Sequence, residues 1–161
     1  MIEVSLMFGG NLGNVPAAFD SALEKLTENG FDITAKSSVF ITEPVDCVPG
    51  TPPFQNMAVL GRWSGSPREL LELTQRIEHE SGRPAEHSSR EARTLDIDII
   101  TFGQKMICES NLIIPHPRAQ QRLFVLEPLT EIAPDLCFPD SGQSVSALFF
   151  QVKKSLAKKA R

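Results

Sequence analysis

Two kinds of hydrophobic spacing alternate along the first hundred residues, and their order limits the folds open to the chain. Apolar side chains recur every second residue in some segments, which indicates strands, and every three to four residues in others, which indicates helices. Strands are expected at residues 2–8, 31–41, 54–60 (reaching towards Trp63) and 94–102, and helices between Val15 and Gly30 and between Ser66 and Gly82. This β-α-β-β-α-β order predicts an α+β fold with a ferredoxin-like core.

Further elements are expected after this core. The sequence predicts a hairpin at 105–114, a helix around 118–133 and a C-terminal helix that begins at Ser144. Two long loops are also expected, a proline-rich one at 43–53 and a polar one at 83–93. Since 161 residues is the size of one domain, we expect a single domain over residues 1–161, in which the added helices complete an α-β sandwich.

The charge distribution argues against a nucleic-acid-binding protein. The net charge is −4, but the last eleven residues carry five Lys or Arg and no acidic residue, which leaves −9 on the rest of the chain. General nucleic-acid binding needs a broad basic surface, so we expect no nucleic-acid partner. The basic tail is most simply the solvated end of a helix, and a role in docking to RNA or a membrane is the less favoured interpretation.

Other features favour a cytoplasmic protein with no membrane contact. No apolar run approaches the roughly 18 residues of a membrane span, and Glu3 stands where a signal peptide would carry basic residues. The three cysteines, Cys47, Cys108 and Cys137, are odd in number and widely spaced, which is typical of reduced thiols. We expect them to be small buried hydrophobes, and we expect the chain to be a monomer.

The strongest chemical signal is the segment TLDIDII at residues 94–100. In a strand its aliphatic residues face the core, while Asp96 and Asp98 share the other face with Cα atoms about 6.5–7 Å apart. Aspartate is depleted in strands, and two carboxylates on one face can hold hard cations such as Mg²⁺ together with substrate phosphates. On spacing alone, the solvent-facing side of an amphipathic strand stays an equal alternative.

Basic residues lie on both sides of the aspartates in the sequence. Metal-binding carboxylates beside cations that bind phosphate oxygens are the usual equipment of phosphoryl transfer. His116 is held between two prolines, and Arg118 and Arg122 are four residues apart, so on a helix they would share a face. For each arginine alone, a surface salt bridge remains the alternative. The basic residues are Arg83, Arg90 and Arg93 before the pair and His116, Arg118 and Arg122 after it.

Six segments spread over nearly the whole chain occur in an order that no generic fold pattern explains. They are GGNLGN (9–14), TEP (42–44), FQN (54–56), QRIEHESGR (75–83), RTLDIDIITFG (93–103) and IPHPRAQQRLFVLEPLTEIAP (114–134). With these segments the chain resembles the 6-hydroxymethyl-7,8-dihydropterin pyrophosphokinases of folate biosynthesis. The resemblance implies a ferredoxin-like α+β enzyme of one catalytic domain. It also implies transfer of pyrophosphate from ATP to the pterin hydroxymethyl group with release of AMP.

The resemblance further implies a role for each matched residue. Asp96 and Asp98 would hold two Mg²⁺ ions, and Arg83 and Arg93 would bind the phosphates of ATP. The nucleotide would also contact Gln75, Glu78, Arg90, Ile99, His116 and Arg122. The pterin would contact Thr42, Pro44, Val45, Phe54, Asn56 and Phe124. In this arrangement the two phenylalanines enclose the ring and the amide of Asn56 pairs with its edge, which suits a flat heterocycle.

The chain departs from the family pattern just before the aspartates. Where family members usually have Trp-Gly-Pro, this chain has Arg90-Glu91-Ala92. In the family this loop closes over ATP, so Glu91 brings negative charge towards the nucleotide, while Arg90 could restore a stacking or phosphate contact. Two alternatives follow: a non-catalytic homologue that binds a pterin or nucleotide, and a plain ferredoxin-like interaction module.

Overall fold

The structure, a computed structural model, describes residues 1–44, 49–82 and 94–159. Within these residues the chain forms seven β-strands, four α-helices and a short 3₁₀ helix at Ala119–Gln121. The strands are β1 (Ile2–Gly10), β2 (Asp32–Lys36), β3 (Phe40–Thr42), β4 (Phe54–Trp63), β5 (Asp96–Phe102), β6 (Ile107–Glu109) and β7 (Leu112–Ile114). The helices are α1 (Val15–Glu28), α2 (Pro67–Glu80), α3 (Leu123–Ile132) and α4 (Val145–Lys159).

The main sheet has the strand order β2-β4-β1-β5, and every neighbouring pair in it is antiparallel. The short strand β3 pairs with β4 as well. Helix α1 connects β1 to β2, and α2 connects β4 to β5, so the topology is the βαββαβ of a ferredoxin-like core. The predicted fold class is confirmed, and β6 and β7 form the predicted hairpin.

Helices cover both faces of the sheet. On one face α1 and α2 pack against Val4, Leu6 and Phe8 of β1, which are fully buried. On the other face α3 and α4 pack against Met7 of β1 and Ala58 of β4. Successive side chains of a strand point to opposite faces, and β1 therefore contributes to both apolar clusters. The molecule is a three-layer sandwich with β1 and β4 at its centre.

Side-chain caps set where the helices begin. At the start of α2, the hydroxyl of Ser66 accepts a hydrogen bond from the backbone N–H of Glu69 at 3.1 Å. The Glu69 carboxylate accepts one from the backbone N–H of Ser66 at 2.9 Å, which completes the predicted capping box. Hydrogen bonds from the backbone and side chain of Ser66 hold the pKa of Glu69 below its usual value. The side chains of Asn14 and Ser144 cap the first turns of α1 and α4.

The single strand predicted over 31–41 is wrong, because the chain breaks there into β2 and β3. Lys36 lies opposite Val59 of β4, and Phe40 lies opposite Asn56. The segment from Lys36 to Phe40 is therefore one residue longer than the segment of β4 that it faces. At Ser37 the hydroxyl accepts a hydrogen bond from the backbone N–H of Ala58 on β4, at 2.9 Å. A serine hydroxyl can take the place of a backbone carbonyl in this way, and apolar spacing does not show such a bulge.

The helix predicted around 118–133 forms in two pieces. Arg122 separates the 3₁₀ helix from α3, and its backbone is extended, with φ −117° and ψ 117°. The prediction that Arg118 and Arg122 share one α-helical face is therefore wrong. Arg118 instead lies just before the 3₁₀ helix, and Arg122 lies directly before the first turn of α3.

A bulge in β5 changes which side chains face which layer. Ser5 of β1 lies opposite Thr101, and Leu6 lies opposite Ile99, so Ile100 is an extra residue in β5. The side chain of Ile100 joins the cluster beneath α3 and α4, and the hydroxyls of Ser5 and Thr101 hydrogen bond to each other at 2.6 Å. The bulge lies two residues beyond Asp98.

Two of the three cysteines do not occupy core positions. Cys108 and Cys137 are free and exposed, so the expectation that they are small buried hydrophobes is wrong for both. Cys108 lies on β6 of the hairpin and Cys137 in the connection before α4, outside the layers of the sandwich. Cys47 lies outside the described residues. Of the helices that the structure describes, none is long and apolar enough to cross a bilayer.

Candidate active site

The two aspartates lie at the start of β5, an edge strand of the main sheet. Asp98 lies opposite Met7 of β1, whose side chain belongs to the α3 and α4 side, and both Asp96 and Asp98 are partly exposed on that face. Ile97 and Ile99 point the other way and are 4% and 6% exposed in the core under α1 and α2. The predicted alternation is thus observed, and the two carboxylates share one face.

The C-terminal end of α2 holds the start of β5. The backbone N–H of Ile97, between the two aspartates, donates a hydrogen bond to the Glu78 carboxylate at 2.6 Å. The hydroxyl of Thr94 donates to the carbonyl of Ser81 at 2.8 Å, and β5 begins after it, two residues later than predicted. Gln75 lies almost one turn before Glu78 on the same helix and is exposed.

His116 is brought to the aspartates by the bulge in β5. The carbonyl of the extra residue, Ile100, accepts a hydrogen bond from the backbone N–H of His116 at 2.9 Å. The imidazole Nε2 then lies 4.0 Å from Oδ2 of Asp98. The backbone N–H of Arg118 donates to Nδ1 of His116 at 3.2 Å, so the proton of the neutral ring is on Nε2, facing the carboxylate.

The surroundings of His116 favour its neutral form. Burial of the ring is the main reason why its pKa lies below the ordinary value. The positive charges of Arg122 and Arg118 lower the pKa further, while Asp96 acts in the opposite direction. The ring is therefore a hydrogen-bond donor near the carboxylates rather than a second cation.

Arg122 places a positive charge on this side of the site. Burial lowers the pKa of its guanidinium, Arg118 lowers it further, and Asp98 raises it. The group remains a cation, because arginine does not lose its proton in proteins. Its guanidinium carbon lies 5.3 Å from the centre of the Phe124 ring, which fixes the charge over an aromatic face. Phe124 itself is 36% exposed at the start of α3.

A second wall of the site is formed by β4 and β3. Asn56 of β4 is 6% exposed, and its Nδ2 donates to Oγ1 of Thr42 on β3 at 3.3 Å. Phe54, two residues earlier on β4, is half-buried. Between Asn56 and Asp96 lies Gly9 of β1, which is the direct partner of both residues across the sheet. The amide, the glycine and the carboxylate thus form one row, about 10 Å from end to end at usual strand spacing.

Gly9 leaves open the space between the amide and the carboxylate. Its φ angle is not in the left-handed region, so the backbone does not require glycine there. A Cβ atom at this position would lie 3.3 Å from Oδ1 of Asn56, which is tighter than an ordinary contact. No role for Gly9 was predicted from the sequence. The signal that could have found it is the motif GGNLGN at residues 9–14.

The same motif contains a second residue that sequence reasoning missed. Asn11 is 4% exposed, and its Nδ2 donates to the carbonyl of Pro52 at 3.1 Å. The hydrogen bond ties the turn after β1 to the segment that leads into β4. The available signal was an asparagine that follows two glycines and precedes a third within one turn, where a polar side chain needs a hydrogen-bond partner.

The remaining predicted site residues are not all brought to this place. Pro44 is half-buried in the segment after β3, and the side chain of Ile99 lies in the core on the opposite face of the sheet. Val45, Arg83, Arg90 and Arg93 lie outside the described residues. The structure therefore brings together Asp96, Asp98, His116 and Arg122 on one side and Thr42, Phe54 and Asn56 on the other.

The donor set at Asp96 and Asp98 fits a hard divalent cation that takes most of its ligands from elsewhere. Among the described residues, no group of three or more His, Cys, Asp or Glu side chains could enclose a metal ion. Two adjacent carboxylates on an open strand edge are what Mg²⁺ uses when phosphates and water supply its other ligands.

A cavity of about 320 Å³ opens elsewhere, between α1 and α2. Its lining includes Ala18, Lys25, Ile77 and Thr94, and none of the described site residues borders it. The chemistry suggested by the aspartates therefore belongs to the open face between β5, α3 and β4 rather than to this cavity.

Fold and site together define a class of protein. The chain is a ferredoxin-like α+β protein with an acidic edge strand beside a His–Arg segment, an arrangement suited to a metal-bound polyphosphate. Residues 5–134 match the model of the family described as 7,8-dihydro-6-hydroxymethylpterin-pyrophosphokinase (HPPK). The chain belongs to this family.

Individual relatives agree with the family match. The 2-amino-4-hydroxy-6-hydroxymethyldihydropteridine pyrophosphokinase of Bacillus subtilis is 41% identical over 128 residues, which cover 79% of this chain and 75% of the relative. The folate synthesis bifunctional protein of Arabidopsis thaliana is 38% identical over 130 residues, or 81% of this chain and 27% of that protein. This chain thus spans about a quarter of the bifunctional relative.

Solved structures show the same fold. The crystal structure of wild-type Plasmodium falciparum HPPK-DHPS with SDX-DHP matches 99% of this chain and 45% of that chain, with a TM-score of 0.75. Its sequence identity is 14%, so this likeness concerns the fold alone.

Proposed function

We propose that this chain transfers pyrophosphate from ATP to the hydroxymethyl group of 6-hydroxymethyl-7,8-dihydropterin and releases AMP. The observation that carries the proposal is the pair Asp96 and Asp98 beside His116, on an edge strand of a chain that belongs to the HPPK family. The name of the Bacillus subtilis relative, 41% identical, supports the same reaction. ATP and the pterin are then the two small-molecule partners of the chain.

The pterin is assigned to the wall formed by β4 and β3. A flat heterocycle with donors and acceptors on its edge suits an amide and two aromatic faces, which Asn56, Phe54 and Phe124 would supply. The hydrogen bond from Asn56 to Thr42 holds the amide in one orientation. Pro44 and Val45 follow on the same segment and would border the ring.

The nucleotide is assigned to the side of His116 and Arg122. A neutral imidazole that donates through Nε2 and a guanidinium over an aromatic ring both suit phosphate oxygens. Glu78 on α2 accepts a hydrogen bond from the N–H of Ile97 on β5, and Gln75 lies almost one turn before Glu78 on the same helix. Arg83, Arg90, Arg93 and Ile99 complete the proposed nucleotide contacts, with Arg83 and Arg93 binding the phosphates that react.

Asp96 and Asp98 would hold two Mg²⁺ ions between them and the phosphates. When bound, Mg²⁺ neutralises phosphate charge and makes a coordinated hydroxyl easier to deprotonate. Strand alternation places both carboxylates on one face. Glu78 holds the start of β5, and the bulge at Ile100 brings His116 to the pair. This fixed geometry would align the pterin oxygen with the β-phosphorus of ATP.

In the proposed reaction the hydroxymethyl oxygen loses its proton to solvent and bonds to the β-phosphorus of ATP. The bond from that phosphorus to the oxygen shared with the α-phosphorus breaks, and AMP leaves with that oxygen. Positioning and charge stabilisation account for most of the rate in phosphoryl transfer, so a side-chain base at the hydroxyl is not needed.

The experiment that tests this proposal identifies the nucleotide formed from ATP. The purified chain is incubated with ATP, Mg²⁺ and 6-hydroxymethyl-7,8-dihydropterin, with a parallel sample that lacks the pterin. We expect AMP that depends on the pterin. ADP in place of AMP would refute pyrophosphate transfer. Pterin binding in calorimetry without any AMP would show that the chain is a non-catalytic binder.

A further inference from the structure

The break between β2 and β3 is attached to α3 by a single carboxylate. Ser37 remains paired with β4, donating its N–H to the carbonyl of Ala58 at 2.9 Å. Ser38 turns away from the sheet instead, and both its backbone N–H and its hydroxyl donate to Oε1 of Glu131, each at 2.8 Å. These two residues are 93 positions apart in the chain. One oxygen near the end of α3 therefore fixes the chain just before β3.

Strand β3 needs such an attachment more than the other strands of the sheet. It has three residues, and among the described strands it pairs with β4 alone. It carries Thr42, which accepts the hydrogen bond from Asn56. Any shift of β3 along or away from β4 would therefore reorient the amide on the proposed pterin wall.

Glu131 also belongs to α3, the helix that carries Phe124 on the other side of the proposed pterin position. Phe124 lies in the first turn of α3, and Glu131 lies seven residues later, about 10 Å along the axis. Through Ser38, Glu131 joins α3 to β3. Its two hydrogen bonds therefore link the chain before β3, which carries Thr42, to the helix that carries Phe124.

We propose that Glu131 is a positioning residue for the pterin, which acts by holding β3 at a fixed distance from α3. The inference rests on the proposed function and concerns the substrate side of that site. Glu131 and Ser38 are both exposed, and exposed polar contacts contribute little to global stability. The effect of Glu131 therefore falls on the local position of β3 rather than on whether the chain folds.

Three variants test this role. Glu131→Ala removes both hydrogen bonds, and we expect it to raise the KM for the pterin about fivefold while kcat and the KM for ATP stay unchanged. Ser38→Ala keeps the backbone N–H donor and should have a smaller effect of the same kind. Glu131→Gln keeps an oxygen that accepts both hydrogen bonds, so it should restore a KM within about twofold of wild type. Glu127→Ala, an exposed carboxylate one turn earlier, is the matched control.

The pattern across substrates and variants decides the outcome. An unchanged pterin KM in Glu131→Ala overturns the inference, as does an equal rise in both KM values or the same change in Glu127→Ala. Calorimetric binding of the pterin in the presence of a non-hydrolysable ATP analogue separates this test from that of the proposed function. If the wild type binds the pterin without turnover, the proposed function fails, and the ratio of dissociation constants still tests Glu131. If the wild type binds no pterin, both fail.

Discussion

At the scale of single residues, the site is a row of groups across three strands whose spacing the sheet fixes. Asn56, Gly9 and Asp96 lie opposite one another on β4, β1 and β5. Beside Asp96, Asp98 has His116 and Arg122 as its neighbours. The acidic, basic and amide groups thus surround an open area of the sheet surface. No side chain fills this area, because its central residue is Gly9.

Asp98→Asn tests the carboxylate that lies beside His116. The substitution keeps the shape of the side chain but removes the charge that a divalent cation requires. We expect kcat/KM to fall at least 100-fold, which is about 2.7 kcal/mol of transition-state stabilisation, with the unfolding midpoint close to wild type. Asp20→Asn on the exposed face of α1 serves as the control and should leave turnover unchanged. A variant Asp98→Asn with near-normal turnover would show that this carboxylate holds no catalytic metal.

Gly9→Ala tests the open space between the amide and the carboxylate. The added methyl group lies 3.3 Å from Oδ1 of Asn56, so the amide must move and its hydrogen bond to Thr42 weakens. We expect the KM for the pterin to rise about tenfold, or about 1.4 kcal/mol, while the KM for ATP changes little. Steady-state kinetics with each substrate varied in turn provide the measurement. Equal KM values for wild type and variant would mean that the pterin does not use this row.

The pKa of His116 gives a pH-dependent prediction. Burial, then Arg122, lowers the pKa in the folded state, so the native protein binds the proton more weakly than the unfolded chain. The stability that this neutral ring contributes is present above the unfolded pKa of about 6.5 and is lost as the pH falls below it. NMR titration should give a lower midpoint for His116 in the native protein than in urea. Arg122→Gln should raise the native midpoint part of the way, because burial remains. A native midpoint at or above the unfolded one would contradict the burial argument.

At the scale of elements, the structure separates what local sequence determines from what tertiary contacts determine. The start of α2 was predictable because Ser66 and Glu69 cap the helix within four residues. The alternation of Asp96 and Asp98 was predictable for the same reason, since a strand has a period of two. The break at Ser37 and the bulge at Ile100 were not predictable, because each depends on which residue of a distant strand lies opposite.

The bulge at Ile100 is the irregularity that shapes the candidate site. Without the extra residue in β5, the Ile100 carbonyl would not be available to the N–H of His116. Sequence reasoning selected His116 from its flanking prolines and from the family resemblance, but not the contact that brings it to Asp98. Apolar spacing does not reveal bulges, which is why the composition of the site was more predictable than its geometry.

Ser66→Ala tests the cap of α2, the helix that holds the start of β5. The change removes an acceptor for the Glu69 N–H, and we expect the free energy of unfolding to fall by about 1 kcal/mol in urea titrations at neutral pH. The hydrogen bonds from Ser66 lower the pKa of Glu69, so the cap stabilises the fold above the unfolded pKa of this carboxyl. The backbone hydrogen bond from Ser66 remains in the variant, so only the part of the difference that the hydroxyl contributes through Glu69 should shrink as the pH falls through the folded pKa. Ser64→Ala, two residues earlier and exposed, is the control, and an equal loss there would refute the cap.

At the scale of the whole molecule, the two faces of the sheet have different tasks. The face under α1 and α2 is a continuous apolar core that includes Ile97 and Ile99 of β5. The face under α3 and α4 is apolar over part of the sheet. Beyond that part the same face carries the row of Asn56, Gly9 and Asp96, with Asp98 two residues further along β5. The first face is the buried core, and the second leaves an open edge to which we assign the proposed substrates.

In the proposed function this open edge transfers two phosphoryl groups as one unit to a pterin. The most direct measurement is the mass of the pterin recovered after the purified chain has reacted with ATP and Mg²⁺. We expect a product heavier than 6-hydroxymethyl-7,8-dihydropterin by two phosphoryl groups, formed in equal amount with AMP. A product heavier by one phosphoryl group, or a pterin of unchanged mass, would contradict the proposed function.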